Sequence, residues 1–500
     1  MKFPLALTGI LLGAGITFGA KPIDFFMPMP ELVQLNNPAL MSLRNDSSLC
    51  RLRIGVDYRH GSEMPLYFDP GNGEQFGYFD AEAYMHSGAS TVWGKAYYHN
   101  GCQKNVRLCE TSDYDMVYPY VQADAVGGNM RLERYAFSGG WSGTLRRWSA
   151  GVSFSYLAGL YYRRVDPRPR NVTGDMSVHV GLAYSLSGIY SIAAHALFQR
   201  YTQSSDISFV SEMGVSNIYN LTGLGTHYTR FDGSATKTDY KGYVLGGGLS
   251  LASKKANAFF ASVQYSRYSL DKHITNINNL PMARIGENRI EVETGCKFSK
   301  SGSNLSLKVF CNIADRKGYE NIFGDPVGSS YPVIGDIQPY RNIVAECGLK
   351  ALCRTSFQSW DCYGEVGFSN ENYDEKMTDA TSSRHLNYDR LQFRINLGAG
   401  KDFGKRFNLL FNFNGCCLVP LDSSFSIPEG TEEIDIMLRQ QQLYYFHSAV
   451  SCIYIISPGI SAAYKINSKY SMGILLEWCH LQSSNKNKSD FLGSSLNFYF

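Results

Sequence analysis

Between Ser303 and Ala314 the chain reads SNLSLKVFCNIA. Leu305, Leu307, Val309, Cys311 and Ile313 take the odd places, and Asn304, Ser306, Lys308 and Asn312 the even ones, with Phe310 the exception. A period of two sends successive side chains to opposite faces of a strand, so one face meets an apolar medium and the other water. The pattern returns along the chain. Leu52, Ile54, Val56 and Tyr58 alternate with Arg51, Arg53 and Asp57, and Phe79, Ala81, Ala83 and Met85 with Asp80 and Glu82. Ile290, Val292, Thr294 and Cys296 oppose Arg289, Glu291 and Glu293, and Leu391, Phe393, Ile395 and Leu397 oppose Arg390, Gln392 and Arg394. About 18 such segments can be marked, with 14–16 as the alternative count. Ala449 to Ile466 is the least regular, because Pro458 removes a ladder hydrogen bond and predicts a bulge or a later strand start.

The connections alternate in length. Short ones fall near His86–Ser90, Arg146–Arg147, Ser187–Gly188, Ser299–Gly302, Arg354–Thr355, Lys401–Lys405 and Asn467–Lys469. Long ones cover Gly101–Arg131, Thr202–Thr238, Asp315–Tyr340, Asn370–Leu386 and Val419–Gln442. That predicts an all-β chain folded as a transmembrane, antiparallel up-and-down β-barrel, with short periplasmic turns and long extracellular loops. The competing reading is a pair of soluble sandwiches, whose strands run to about five or six residues. Many segments here keep their alternation for about ten, which is what a tilted strand needs to cross hydrocarbon.

Composition sharpens this picture. Aromatics reach 14%, with 34 Tyr and 29 Phe, and only 18% of residues are charged, which suits aromatic belts around a barrel. A net charge of +3 gives no reason to expect nucleic acid. Residues 1–20, with Lys2 before an apolar run from Phe3 to Phe18, read as an export signal. Residues 21–50 then form a periplasmic N-terminal segment and possible plug, an infolded loop such as Thr202–Thr238 being the other candidate for a plug, and 51–500 form the barrel. The last residues, SSLNFYF, put Leu496, Phe498 and Phe500 on one face. They look like the C-terminal signal read by the barrel-assembly machinery of Gram-negative outer membranes.

The early NNPAL (Asn36 to Leu40), GASTVWGKAYY (Gly88 to Tyr98), VDPRPRN (Val165 to Asn171) and the closing strand resemble an uncharacterised family of bacterial outer-membrane β-barrels. The resemblance implies the fold and an outer-membrane location, and it supplies no activity. NNPAL is also similar to an element of long-chain fatty-acid transport barrels.

The inward face is expected to carry Arg53, Asp80, Glu82, Lys95, Arg134, Arg289, Glu291, Glu293, Lys308, Glu346, Lys350, Asp361, Glu365, Arg390, Arg394 and Glu477. Both signs are present, so these residues either tune a pore or pair across a filled lumen. Most of the 12 cysteines serve as small hydrophobes. Cys102 and Cys109 bracket a short stretch of a long loop and are candidates for a disulfide. Cys347 and Cys362 become cross-strand neighbours if Arg354–Thr355 is a hairpin turn. No Cys/His spacing points to zinc, and no metal or cofactor is expected. His179 and His195 face inward on neighbouring strands while His447 and His480 lie far along the chain; no nucleophile and base converge, so no enzyme is expected. "DPRPRN" carries two exposed cations on a rigid backbone, suited to a loop cap or to an acidic partner such as lipopolysaccharide phosphate. The expected role is a pore or facilitated-uptake channel for a small solute, in contact with outer-membrane lipid and lipopolysaccharide. The alternatives are a non-conducting scaffold for surface loops or partners, and a transporter of hydrophobic compounds.

Overall fold

The computed structural model describes residues 37–43, 49–61, 71–186, 188–211, 216–233, 235–253, 257–378, 382–404, 406–430, 432–467 and 470–499. Residues 1–20, read above as an export signal, most of 21–50 and Phe500 lie outside these residues. Among the described residues the strands are β1 (Leu49–Gly61), β2 (Gly73–Ser87), β3 (Ser90–Val106), β4 (Gln122–Ala123), β5 (Gly128–Leu145), β6 (Trp148–Tyr162) and β7 (Arg168–Ser185). There follow β8 (Tyr190–Ser208), β9 (Tyr219–Gly223), β10 (Thr226–His227), β11 (Lys237–Ser253), β12 (Ala258–Ile274), β13 (Leu280–Lys300) and β14 (Ser303–Phe323). The chain ends with β15 (Val333–Phe357), β16 (Trp360–Thr378), β17 (Ser383–Phe403), β18 (Phe407–Ser426), β19 (Ile453–Lys465), β20 (Ser471–Ser483) and β21 (Lys488–Tyr499).

Eighteen of these strands pair in sequence order, all antiparallel, and β1 closes the sheet on β21. Closure leaves no edge whose N–H and C=O groups would sit unpaired in lipid. The remaining three strands, β4, β9 and β10, make a separate small sheet. Several connections at one end are tight; Ser301 and Gly302, for example, turn β13 into β14 with φ of 50° and 83°, as the twist of a hairpin requires.

The alternation read from the sequence becomes the two faces of this wall. Val309 and Leu349 pair directly and are about half exposed, while Lys308 on the other parity is 8% exposed. The outward rows form an apolar band edged by aromatic rings. Trp148 with Tyr184 (4.7 Å) and Phe403 with Phe407 mark the end with the short turns, and Tyr98 with Tyr135 (4.8 Å) marks the opposite end. A closed sheet with such a band places the protein in the bacterial outer membrane.

Three expectations change. First, the segments read as long loops at Asp315–Tyr340 and Asn370–Leu386 are largely strand, because β14 and β16 continue to Phe323 and Thr378, and the first third of Val419–Gln442 is strand too, β18 running to Ser426. In these outer strand ends the alternation is irregular, with register shifts between Gly318 and Glu320 and between Asp389 and Arg390, while the ladder persists. Second, the turn expected at Arg354–Thr355 lies at Gln358–Ser359, with Gln358 at φ 54°. Cys347 therefore faces Asn370 and Cys311, and Cys362 faces Thr355. Third, Val419–Gln442 contains the start of a helix, α2 (Glu433–Ala449); the shorter α1 spans Tyr114–Val117. At Pro458 the strand runs on, but its ladder to β20 skips Ser457 and Pro458.

The N-terminal segment docks inside the wall. Pro38–Leu43 is a 3-10 turn beside β5, β6 and β7. Asn37 is fully buried: its Nδ2 donates to the Ala194 carbonyl (3.0 Å) and its Oδ1 accepts from the Ala39 N–H (3.0 Å). The Tyr84 hydroxyl donates to the Met41 carbonyl (2.9 Å). This approach requires glycine at two places, since a Cβ at Gly181 would overlap the Asn37 carboxamide and one at Gly151 would lie 2.5 Å from the Pro38 carbonyl carbon.

Two outcomes follow from the wall. Val309→Arg puts a cation in the middle of the lipid-facing row and should cost ~2–4 kcal/mol, read as a lower urea midpoint for the barrel folded in vesicles. Gly181→Leu should expel the N-terminal turn, so that protease cuts within 37–43 while the barrel's own unfolding is little changed; continued protection would disprove the docking.

Candidate functional site

The site is the lumen and what fills it. Strand parity puts Arg53, Asp80, Glu82, Lys95 and Glu477 on the inner face around β1, β2, β3 and β20. Arg53 forks onto Asp80, and Arg51 pairs with Glu82 at 3.0 Å. Around β13 to β18 the inner face carries Arg289, Glu291, Glu293, Lys308, Glu346, Lys350, Asp361, Glu365, Arg390 and Arg394. Lys308 pairs with Glu293 (3.1 Å), Arg390 with Glu371 (2.9 Å) and Arg394 with Glu346 (3.4 Å). Arg289 turns along its own strand to Glu287 (2.8 Å), and Asp361 accepts from the Ser356 hydroxyl. Lys350 faces Lys308 across the ladder and lies over the Phe310 ring at 5.4 Å. Lys95 is exposed, and Glu291, Lys350, Glu365, Arg394 and Glu477 are half-buried, so this level of the lumen is polar space with both signs on its wall.

Above it the barrel is stoppered by its own chain. The segment 107–127 after β3, residues 216–233 with β9 and β10, and helix α2 fold inward as a cap. Val117, Tyr118, Tyr120 and Val121 of the first segment join Leu221, Leu224 and Phe231 of the second, and Ile434 and Leu438 of α2. The wall meets them with inward tyrosines. The Tyr240 hydroxyl donates to the Tyr120 carbonyl (2.8 Å) and that of Tyr268 to the Met116 carbonyl (3.0 Å). Irregular backbone inside a barrel must have its carbonyls satisfied, and tyrosine does this while filling space. Tyr118 (2.5 Å), Tyr340 (3.0 Å) and Tyr373 (2.8 Å) all donate to the Glu375 carboxylate. Arg316 holds Glu287 (2.7 Å) and donates to the carbonyls of Asp115 (2.7 Å) and Tyr118 (2.9 Å).

Charges pin the cap at its edge. Arg163, 3% exposed, meets Glu110 at 2.9 Å and Asp124 at 2.6 Å, both carboxylates fully buried. Asp124 also accepts from the Gly127 N–H at 2.6 Å. Burial drives the Glu110 carboxyl well above its usual range and Asp124 adds to the rise; in Asp124, burial is outweighed by hydrogen bonds and by Arg163, so its carboxyl is held low. His227 spans Asp232 (3.0 Å) and Asp435 (3.6 Å), joining the second segment to α2. Burial alone would lower this imidazole, but Asp232 and Asp435 raise it. Arg134 reaches Asp113 at 2.9 Å.

The cysteines differ from expectation. Cys102 and Cys109 are both free: Cys102 lies on the outer parity of β3, and Cys109 is buried in the cap, donating to the Thr111 carbonyl at 3.3 Å. The wall separates the two thiols. The bond formed is Cys311–Cys347, between directly opposed residues on the outer face of β14 and β15. His179 and His195 face inward on β7 and β8. Leu496 and Phe498 share the outward face of β21.

The cap was not foreseen in this form, apart from the suggestion that 202–238 folds inward. A signal for it is present. Tyr114, Tyr118, Tyr120 and Val121 make an aromatic run without alternation, which suits a buried segment better than a solvated loop.

Several solved structures are similar to this chain at low identity. The ferric enterobactin receptor PfeA of Pseudomonas aeruginosa, in a mutant form, is 7% identical, with 90% of this chain and 80% of that one covered and a TM-score of 0.37. The copper transporter OprC is 8% identical, with coverage of 90% and 80% and a TM-score of 0.41. The siderophore receptor PiuA of Acinetobacter baumannii is 8% identical, with coverage of 90% and 82% and a TM-score of 0.40. No curated protein matches. The family model of a family of unknown function, DUF6850, matches residues 38–500, and the chain, an 18-stranded outer-membrane barrel, belongs to that family.

Proposed function

We propose that this barrel passes a small polar solute across the outer membrane, through a lumen that its own cap opens and closes. The observation that supports it is the charged, partly solvated inner wall lying beneath a cap held by a few discrete contacts. Apolar side chains fill the cap, whereas the wall below carries Lys308, Glu293, Lys350, Glu346, Glu365 and Arg394. A solute with hydrogen-bonding groups suits that surface better than a fatty acid does, so the hydrophobic-transport reading is the weaker one. Mixed signs at close range favour dipolar or uncharged polar solutes over a single ion type. No catalytic role is proposed for His179 or His195. On this reading residues 1–20 are the export signal and 21–50 a periplasmic segment that partly plugs the lumen. Leu496, Phe498 and Phe500 are read by the assembly machinery.

Arg163→Met leaves two buried carboxylates facing each other without their cation, at a cost of ~3–5 kcal/mol to the docked cap. In planar bilayers the wild type should be nearly silent and the variant should conduct. Two folded, silent proteins would dismiss passage and leave the scaffold reading.

A pH dependence also follows. The Glu110 carboxyl is raised on folding, so its contribution is fully present below its unfolded value and is lost as pH rises through the raised folded value. Asp124 is lowered and acts oppositely, its contribution being lost only in strong acid. Wild-type conductance should therefore increase from mildly acid to alkaline pH. Glu110→Gln, which keeps the neutral form, should abolish the increase; an unchanged profile would exclude Glu110 as the titrating group.

A further inference from the structure

On the outer wall, just above the apolar band, the charge is unevenly distributed. Arg200 on β8 lies directly opposite Tyr243 on β11, and Arg267 on β12 lies opposite Leu245, one outward position below Tyr243. Phe198 faces Leu245 in the row beneath, both strongly exposed, so the two arginines bracket the point where apolar wall gives way to polar. Arg284 on β13 continues the arc and lies over the Tyr319 ring at 5.0 Å. All three guanidinium groups are exposed; Arg284 has Asp271 of β12 directly opposite it, whereas among the described residues no carboxylate is paired with Arg200 or Arg267. Three or more strands further round the wall the balance at this level is different. There β16, β17 and β18 present Asn370, Asn372, Asp374, Asp389 and Asp422 outward.

We propose that Arg200, Tyr243 and Arg267 bind the phosphorylated sugar headgroup of one lipopolysaccharide molecule in the outer leaflet. The geometry suits that occupant on three counts. A guanidinium grips a phosphate through two parallel N–H donors, which an ammonium cannot do. A tyrosine between the two arginines offers an apolar face to a sugar ring and a hydroxyl to its oxygens. Phe198, Leu245 and Val263 lie directly below, where acyl chains descend from such a headgroup. Arginines without carboxylate partners at a membrane interface have anionic headgroups as their available counter-ions. The site faces away from the lumen and does not depend on whether the barrel conducts.

The test uses the full-length barrel in detergent, titrated with lipid A bearing its phosphates, with phosphatase-treated lipid A and with phosphatidylglycerol. Native mass spectrometry reads the bound lipid, and heat-modifiable gel migration reports the folded barrel. Phosphorylated lipid A should bind the wild type, and Arg200→Gln/Arg267→Gln should weaken that binding about tenfold or more. Arg200→Lys/Arg267→Lys, which preserves the charge and covers the event that the glutamine pair misfolds, should lose less than the glutamine pair but bind clearly below wild type. Lys376→Gln, on β16 and away from these arginines, should change nothing. Equal binding by both arginine variants and wild type overturns the proposal. So does phosphatidylglycerol binding as tightly as lipid A, or no loss on removing the phosphates.

Discussion

The structure depends on one constraint: in hydrocarbon every backbone N–H and C=O must find its partner within the protein. A sheet satisfies this only by closing on itself, and β1 pairing with β21 does so. Closure in turn fixes which side chains meet lipid. Once the ladder is continuous, every second residue must be apolar through the band and its neighbour is free to be polar. Leu305 to Ile313, with Lys308 and Asn312 between them, shows both requirements within one strand.

Eighteen strands enclose more room than wall side chains can fill. The chain meets this problem differently at different levels. Through the band the interior is left polar, and opposite charges hold one another at the wall. Most of these pairs are themselves buried, Lys308 and Glu293 at 8% and 2% exposure, so each charge depends on its partner and removing one leaves the other uncompensated. Above the band the interior is filled by chain inserted between β3 and β5, between β8 and β11, and between β18 and β19. This filling is neither a sheet face nor a solvated loop. Its irregular backbone is satisfied by side chains from the wall, which explains why so many inward residues there are tyrosine or arginine rather than leucine.

The two fillings differ in how they can change. The wall pairs are built into a rigid ladder. The cap is anchored by a small number of buried charges, of which Arg163 between Glu110 and Asp124 is the most enclosed. A buried ion group of this kind favours one docked arrangement strongly while its partners are intact and weakly once one is removed or titrated. On the proposed reading it is therefore the cap, rather than the wall, that opens and closes.

The strand pattern, the closed sheet and the two faces of each strand were legible from residues alone, because a period of two is a local property and lipid enforces it at every strand. The inward placement of residues such as Arg53, Lys308 and Arg394 follows from the same parity. Turn positions were less legible: β15 passes the expected turn at Arg354–Thr355 because the band and its aromatic edge, Phe357 and Trp360, extend further. The cap was almost illegible. Tyr118 meets Glu375 across 257 residues and Tyr240 meets Tyr120 across 120, and no local period records such contacts. The same holds for Asn37 against Gly181 and for Cys311 bonded to Cys347, which needed the register before they could be seen. Solvent periodicity along the chain therefore determined the barrel. Only three-dimensional closure, which brings distant segments into one lumen, decided what fills it.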